Sequence, residues 1–343
     1  MARARHRRKS KHKGIFIGVL LCIIACFVAI FFLLPEETKE NMIKQTPKLK
    51  IVDLDSKTRP FAVMIDNSDA AFPNHTGLQD AFITYEIITE GGISRIMALF
   101  KDQTTDLIGP VRSSRHYFLD YALENDAIYA HFGWSDRARD DISSLAIDNL
   151  NGITNATKAY WRDSNFVAPH NVYTKISNLQ EVSEEKEYQL KTDDDLLLNY
   201  SVKEISLAKK TDVKVANQVS IDYSTYHNTS YTYDPTAKVY LRKMNGQPHT
   251  DYATKKQYSV KNIIVTKIKN NAFDDYGRQD LENIGEGDGY FITDGYAIPI
   301  QWKKTSRRAK TQYVDMTGKE IVVNDGNTAI QIQPIDQEVN ITE

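Results

Sequence analysis

The chain has 343 residues, 41% of them apolar, which supports a sizeable core and one large or two ordinary domains. Its formal charge of −2 conceals an asymmetry: seven Lys/Arg lie in residues 1–13, leaving 36 Lys/Arg against 45 Asp/Glu, or −9, for the rest. An acidic body argues against a general binder of nucleic acid or anionic polymer, so any anion site must be local.

The basic tail, 1–13, precedes 21 uncharged residues, Gly14–Leu34. About 20 apolar residues at helical rise cross a hydrocarbon core of about 30 Å, and positive charge stays on the cytoplasmic side. The pattern predicts a single-pass transmembrane anchor at the cell membrane, with the N-terminus cytoplasmic and the bulk of the chain extracellular. A second reading is a lipoprotein signal cleaved before Cys26, because Ile23-Ile24-Ala25-Cys26 resembles a lipobox. Phe27–Leu34 prolongs the apolar run, which fits a spanning helix better. A cleaved, unlipidated signal peptide is the third case, and no small-x-small site ends the run. Both cysteines, Cys22 and Cys26, fall inside this segment. The exported part therefore has no disulfide, thiol nucleophile or Cys-based metal site.

Residues 35–58 are polar and aperiodic and read as a linker. The fold class expected beyond it is α+β, with an N-terminal mixed α/β domain (59–205) followed by a mostly β C-terminal domain (206–343). Phe61–Ile65 is a short apolar run closed by Asp66-Asn67, a buried strand followed by a turn. Phe82–Ile88 and Ile93–Phe100 flank Thr89-Glu90-Gly91-Gly92, a hairpin signature. Gly109-Pro110 breaks the chain, and Ser113 or Ser114 is expected to cap a helix running to about Asn125. Ala127–Ala130 reads as a strand and Ser135–Asn149 as a second helix. Residues 181–210 are charged and Leu-poor apart from Leu196-Leu197-Leu198, and mark the expected boundary. Beyond it, Val, Tyr, Thr and Ile alternate with turns such as Asn245-Gly246 and Asp294-Gly295, a β pattern.

The best local candidate for chemistry is Gly109-Pro110-Val111-Arg112-Ser113-Ser114-Arg115-His116. A helix start offers free N–H groups and a positive dipole end to an anion, and Arg112, Arg115 and Ser113 add donors. An ordinary Ser cap with arginines paired to carboxylates explains the same residues. His131 closes a strand where ligands gather in open α/β sheets, and Asp66 ends a strand that lies nearby if the two are parallel. His170 and Asn171 follow Pro169 on a loop, where plain turn chemistry is the simpler reading. Glu90 and Arg95 flank the hairpin turn and are equally well explained as a cross-strand ion pair.

In the C-terminal part, His249 and Asp251 at i, i+2 supply only two ligands, which do not make a metal site. Residues 274–289 are acidic and Gly-bearing but fail the calcium-loop pattern, because Asp280 stands where Gly is needed. Lys303, Lys304, Arg307, Arg308 and Lys310 read as a solvated basic loop. There is no G-x-S-x-G elbow, no H-E-x-x-H helix and no paired-Cys zinc pattern, so no metal or cofactor is expected and nothing compels an enzyme.

Five stretches together resemble the YerB-like family of bacterial exported proteins. They are EGGISR, GPVRSSRHYFLDYALENDAIYAHFGWS, APHNVYT, RKMNGQPHTDY and GDGYFITDGYAIPIQW. The resemblance spans nearly all of residues 59–335. It implies an N-terminal mixed domain joined to a β-rich domain, held at the membrane, often as a lipoprotein and commonly in Gram-positive bacteria. The family's biochemical function is unknown, so it supplies no catalytic residues. The expectation is an envelope protein that binds a peptidoglycan fragment, a wall-polymer phosphate or a wall-synthesis protein. The site would comprise Arg112, Ser113, Arg115, His131, His170 and Asn171, with Asp66, Glu90 and Arg95 nearby. Two alternatives stand beside it: a wall-acting hydrolase or transferase with a His general base, and a scaffold without a pocket.

Overall fold

The computed structural model describes Gly18 and residues 48–343. The basic tail, the 14–34 span apart from Gly18, Cys26 and most of the linker lie outside the described residues. Among those described, no helix is long and apolar enough to cross a membrane. Residues 49–343 form one compact unit, strand-rich with few helices. The folded unit thus already includes residues 49–58, upstream of the expected start at Arg59: Val52 is buried, and the Lys50 and Ile51 N–H groups donate to the Asp325 carboxylate.

Strand β1 (Phe61–Asp66) is buried at every position. Ala62 and Met64 enter one core, and Phe61, Val63 and Ile65 enter another on the opposite face. A strand covered on both faces needs an unbroken apolar run, which is what its sequence supplies. The predicted hairpin is present as β2 (Ile83–Ile88) and β3 (Ser94–Phe100), in the register Ile83↔Leu99 to Ile88↔Ser94. Gly91 and Gly92 both take φ +73° in its turn, a conformation open to residues without a Cβ.

β4 (Ile128–His131) and β5 (Asn149–Asn151) follow, both parallel to β1. The C-terminal half adds β11 (Asn262–Ile268), β12 (Gly285–Thr293), β13 (Tyr296–Lys304), β14 (Gln312–Asp315) and β15 (Thr328–Pro334) to the same sheet. Its order is β14-β13-β12-β11-β15-β2-β3-β1-β4-β5. β15 lies parallel to both β2 and β11 and so joins strands from the two halves of the sequence. Close backbone approach is required inside this sheet: a Cβ on Gly289 would meet the Val265 carbonyl oxygen at 2.0 Å.

A second antiparallel sheet contains β8 (Gln218–Asp222), β9 (Asn228–Asp234), β10 (Val239–Met244) and β16 (Val339–Thr342). Tyr223, Tyr231 and Tyr240 from this sheet and its following turn pack against Ile263, Val265 and Ile292 of the first. A short antiparallel pair, β6 (Tyr160–Arg162) and β7 (Val172–Thr174), is separated from β1 by Val111, which bonds Val172.

The helices are shorter than predicted. α1 spans Phe118–Glu124 and α2 spans Asp136–Ser144, while α3 (Ile176–Glu185) runs into the start of the stretch read as a boundary. Ser135, read as the first residue of this helix, is its cap, accepting from Ala138 N–H. α2 stops early because Asn149 onward is needed as β5. The start of α1 is the larger correction. Residues 111–114 are extended and committed on both sides. Val111 N–H donates to Val172 O, Arg112 N–H to Met64 O, and Ser114 N–H to Gly133 O. Those donors are spent, and no helix N-terminus stands beside Arg112.

Candidate functional site

Because β1, β4 and β5 are parallel, their carboxyl ends share one edge of the sheet, where Asp66, His131 and Asn151 stand. Val111 pairs with Ile65 on one side and bonds Val172 on the other, so segments 65–66, 111–112 and 170–172 lie next to one another. The consequence is a cluster built on one carboxylate oxygen. His170 Nδ1 lies 2.8 Å from Asp66 Oδ2, and Arg112 Nε lies 3.2 Å from the same atom. Ser68 N–H donates to Oδ1 at 3.1 Å. Burial opposes the Asp66 charge, but Arg112, His170 and Ser68 outweigh it and hold the carboxyl below its ordinary range.

Asp66 is buried, whereas the Arg112 and His170 side chains are 28% and 22% exposed. Among the described residues, His170 Nε2 and the two terminal nitrogens of Arg112 have no hydrogen-bond partner. The cluster therefore shows solvent one cationic fork and one imidazole nitrogen, both anchored from behind.

The other predicted residues have different occupations. Arg115 grips Glu90 with two nitrogens: Nε donates to Oε1, and Nη2 donates to Oε2 at 3.0 Å. Arg95 adds a longer contact to Glu90, 3.6 Å, and donates to Ser113 O at 2.8 Å. Burial, with Arg115 adding to it, pushes the Arg95 guanidinium down to about 10. Arg115 is thus spent on an internal carboxylate, and the expected pair of ligand-binding arginines reduces to Arg112.

His131 is fully buried, with Nδ1 2.8 Å from Gly133 O and Nε2 3.3 Å from Asn149 Oδ1, and burial pushes it down to about 4. It braces the β4 exit and does not reach the cluster. Asn171 receives Arg162 Nη1 at 2.7 Å and donates to Asp163 O and Phe166 O, which shapes the loop that carries His170. A cavity of about 510 Å³ opens between residues 195–199 and 303–321, but none of the predicted site residues lines it.

Behind Asp66 runs a buried chain of polar side chains that draws on both halves of the sequence. His75 Nε2 bonds the Asp66 carbonyl, and His75 Nδ1 lies 2.6 Å from His249 Nε2. His249 Nδ1 bonds Arg242 Nη1, and Arg242 Nη2 donates to Glu86 Oε2 at 3.0 Å. The other Glu86 oxygen receives Ser94 Oγ and Thr229 Oγ1, each at 2.7 Å, and Asn67 Nδ2 at 3.1 Å, with His227 Nε2 at 3.2 Å. Burial alone would raise the Glu86 carboxyl, but Arg242 and the hydrogen bonds hold it well below its ordinary range.

Sequence reading weighed His249 only as a metal ligand and set it aside because His249 and Asp251 are too few, whereas its structural partners are Arg242 and His75. Arg242 opens the stretch RKMNGQPHTDY but was given no role, and Glu86, His75 and His227 were not singled out. The one signal available was a Glu inside an otherwise apolar strand, ITYEII.

Residues 46–189 match the N-terminal domain, and residues 219–330 the C-terminal domain, of the family described as "Protein of unknown function (DUF3048)". The chain is 32% identical over 319 residues to a Bacillus subtilis (strain 168) protein named "Putative lipoprotein YerB", covering 89% of this chain and 92% of that one. The crystal structure of the YerB protein from Bacillus subtilis is similar at a TM-score of 0.74 and 30% identity. That match covers 85% of this chain and 99% of that one.

Proposed function

The chain belongs to the YerB-like family, and from that premise we propose that it is an extracytoplasmic cell-envelope protein that binds an anionic group of a wall component at Asp66, Arg112 and His170. The observation that carries the reading is Arg112, anchored on Asp66 with its terminal donors uncommitted beside the outward nitrogen of His170. A guanidinium held in this way suits a phosphate or carboxylate. Peptidoglycan, its attached polymers and a wall-synthesis protein are the candidate partners, and the acidic remainder of the surface confines the attraction to this place.

Co-sedimentation of the full-length chain, in detergent, with cell-wall sacculi tests the proposal. Arg112→Ala is expected to lose binding at least tenfold, and stripping the anionic polymers to mimic that loss. Arg115→Ala is expected to lower stability through its Glu90 contact while sparing binding of the folded fraction. Equal binding by wild type and Arg112→Ala would refute the site.

One observation favours a second reading. His170 donates from Nδ1 to a buried carboxylate and faces outward with Nε2, the orientation of a general base in a hydrolase or transferase. In that reading the anion held by Arg112 is substrate.

The anchor belongs to the same proposal. The relative's name supports lipid attachment at Cys26, and the 21-residue apolar run supports a spanning helix. Fatty-acid labelling that is present in wild type and lost in Cys26→Ala establishes the lipoprotein form; absence of label in both excludes it, and the intact N-terminus on the membrane-bound chain then separates the helix from a cleaved signal.

A further inference from the structure

Each proton in the chain behind Asp66 has a determined direction. Arg242 can only donate, so Nη1 gives its hydrogen to His249 Nδ1. The neutral His249 ring then carries its proton on Nε2 and gives it to His75 Nδ1, 2.6 Å away. His75 in turn carries its proton on Nε2 and gives it to the Asp66 carbonyl. Burial keeps both rings neutral, and the Arg242 charge adds to that effect at His249. Asp66 is fixed through its carbonyl by this chain. Its ionised carboxylate can only accept, so His170 must donate from Nδ1. A neutral His170 therefore presents Nε2 as an acceptor, next to the donors of Arg112.

Building on the anion-site reading above, we propose that the ligand is a phosphate ester bearing a free hydroxyl close to the phosphorus. Its phosphate oxygens take the Arg112 donors, and its hydroxyl donates to His170 Nε2. Arg112 Nε and His170 Nδ1 lie 3.2 and 2.8 Å from the same oxygen of Asp66, so the nitrogens they leave free are close together without coinciding. Anion and hydroxyl accordingly sit on neighbouring atoms of one molecule and not on a single atom. A phosphate ester of a polyol has that layout: the phosphorus keeps its oxygens on the guanidinium while the ester arm carries the hydroxyl toward the ring. His75 and His249 are positioning residues in this scheme, acting only through Asp66.

The test is a calorimetric titration of the full-length chain in detergent with three probes: glycerol 1-phosphate, its 2,3-dideoxy analogue propyl phosphate, and inorganic phosphate. Glycerol 1-phosphate is expected to bind about tenfold tighter than propyl phosphate, the scale of one hydrogen bond to a site that leaves it unmade otherwise. Inorganic phosphate is expected to bind no better than propyl phosphate. His170→Phe is expected to abolish the preference while retaining propyl phosphate affinity, and Arg112→Ala to lose every probe.

Equal affinity for the two esters, lost together in Arg112→Ala, overturns the hydroxyl inference and leaves the anion site standing. Failure of all probes, or binding indifferent to Arg112→Ala, overturns the anion site itself.

The positioning role has its own readout. His249→Gln keeps one acceptor and one donor in line and is expected to keep the preference, whereas His249→Phe is expected to lose it. Equal preference in the two variants removes His249 from the scheme. If the Phe variant does not fold, 15N shifts of wild-type His170 test the proposal directly: a ring that carries a proton on Nε2, neutral or cationic, overturns it.

Discussion

Glu86→Ala is expected to lower the unfolding free energy by about 3–5 kcal/mol, the usual cost of stranding one member of a buried ion pair. Glu86 is 1% and Arg242 5% exposed, and they meet at 3.0 Å between the two sheets. Removing the carboxylate leaves the guanidinium with no counter-charge and strips the partner from Ser94 Oγ and Thr229 Oγ1 as well. For a chain of this size the midpoint of thermal unfolding is expected to fall by roughly 6–10 °C, measured by calorimetry. Arg242→Ala is expected to act in the same direction. A double replacement by apolar residues of matching volume is expected to recover part of the loss, because no uncompensated charge is then left inside. A Glu86→Ala midpoint within 2 °C of wild type would show that water reaches the pair.

Stability is expected to fall as the pH drops from about 6.5 to 4. His75 and His131 are buried neutral, and burial pushes each down to about 4 in the folded protein, against 6.5 for a free imidazole. Between those values the unfolded chain binds more protons than the folded one, so unfolding free energy rises with pH and is lost on acidification. The slope is about 1.4 kcal/mol per pH unit for each group, or about 3 kcal/mol apiece across the window. His249, also pushed down by burial and by Arg242, adds in the same sense. The Glu86 carboxyl is held low, so its stabilisation is present above the ordinary carboxylate range and is lost only as the pH falls through its lowered value. Its contribution to acid unfolding therefore lies below the histidine window. Urea midpoints at pH 7, 5.5 and 4.5 measure the effect. His131→Gln is expected to reduce the slope by about one proton, and a flat profile from 6.5 to 4.5 would contradict the buried neutral state.

What could be read from the sequence was whatever local pattern determines. β1 and the β2–β3 hairpin followed from apolar runs and a Gly-Gly turn, and the start of α2 was placed at Ser135. The carboxyl-end cluster was half legible: Asp66 was chosen for ending a strand, His170 for following a proline, and Arg112 for an expected helix start that the structure lacks. Their meeting depends on Val111 lying between Ile65 and Val172, a pairing no local pattern encodes. The α1 start failed for a related reason. Ser113 and Ser114 have good capping chemistry, but the backbone donors of 111–114 found better-placed carbonyls in three other segments, and tertiary pairing overrode propensity. Lys304 looked like part of a solvated loop. It is 1% exposed and donates to the buried Glu124 at 2.6 Å, a partner 180 residues away. The charge census alone cannot distinguish an interior cation from a surface one, because the distinction lies in which distant strand covers it.

The position of β15 limits how such a protein can be inherited and rebuilt. Its residues, 328–334, are near the end of the chain, yet they lie between β2 and β11. A half taken from one relative and joined to a half of another must match its new neighbour along both edges of that strand, residue by residue, as well as across the Glu86–Arg242 contact. Exchange between lineages at the apparent midpoint is therefore penalised, and the two family-matched regions are expected to travel as one unit in evolution, their substitutions correlated across β15. A gene that lost its last twenty residues would keep most of its codons and lose the middle of its sheet.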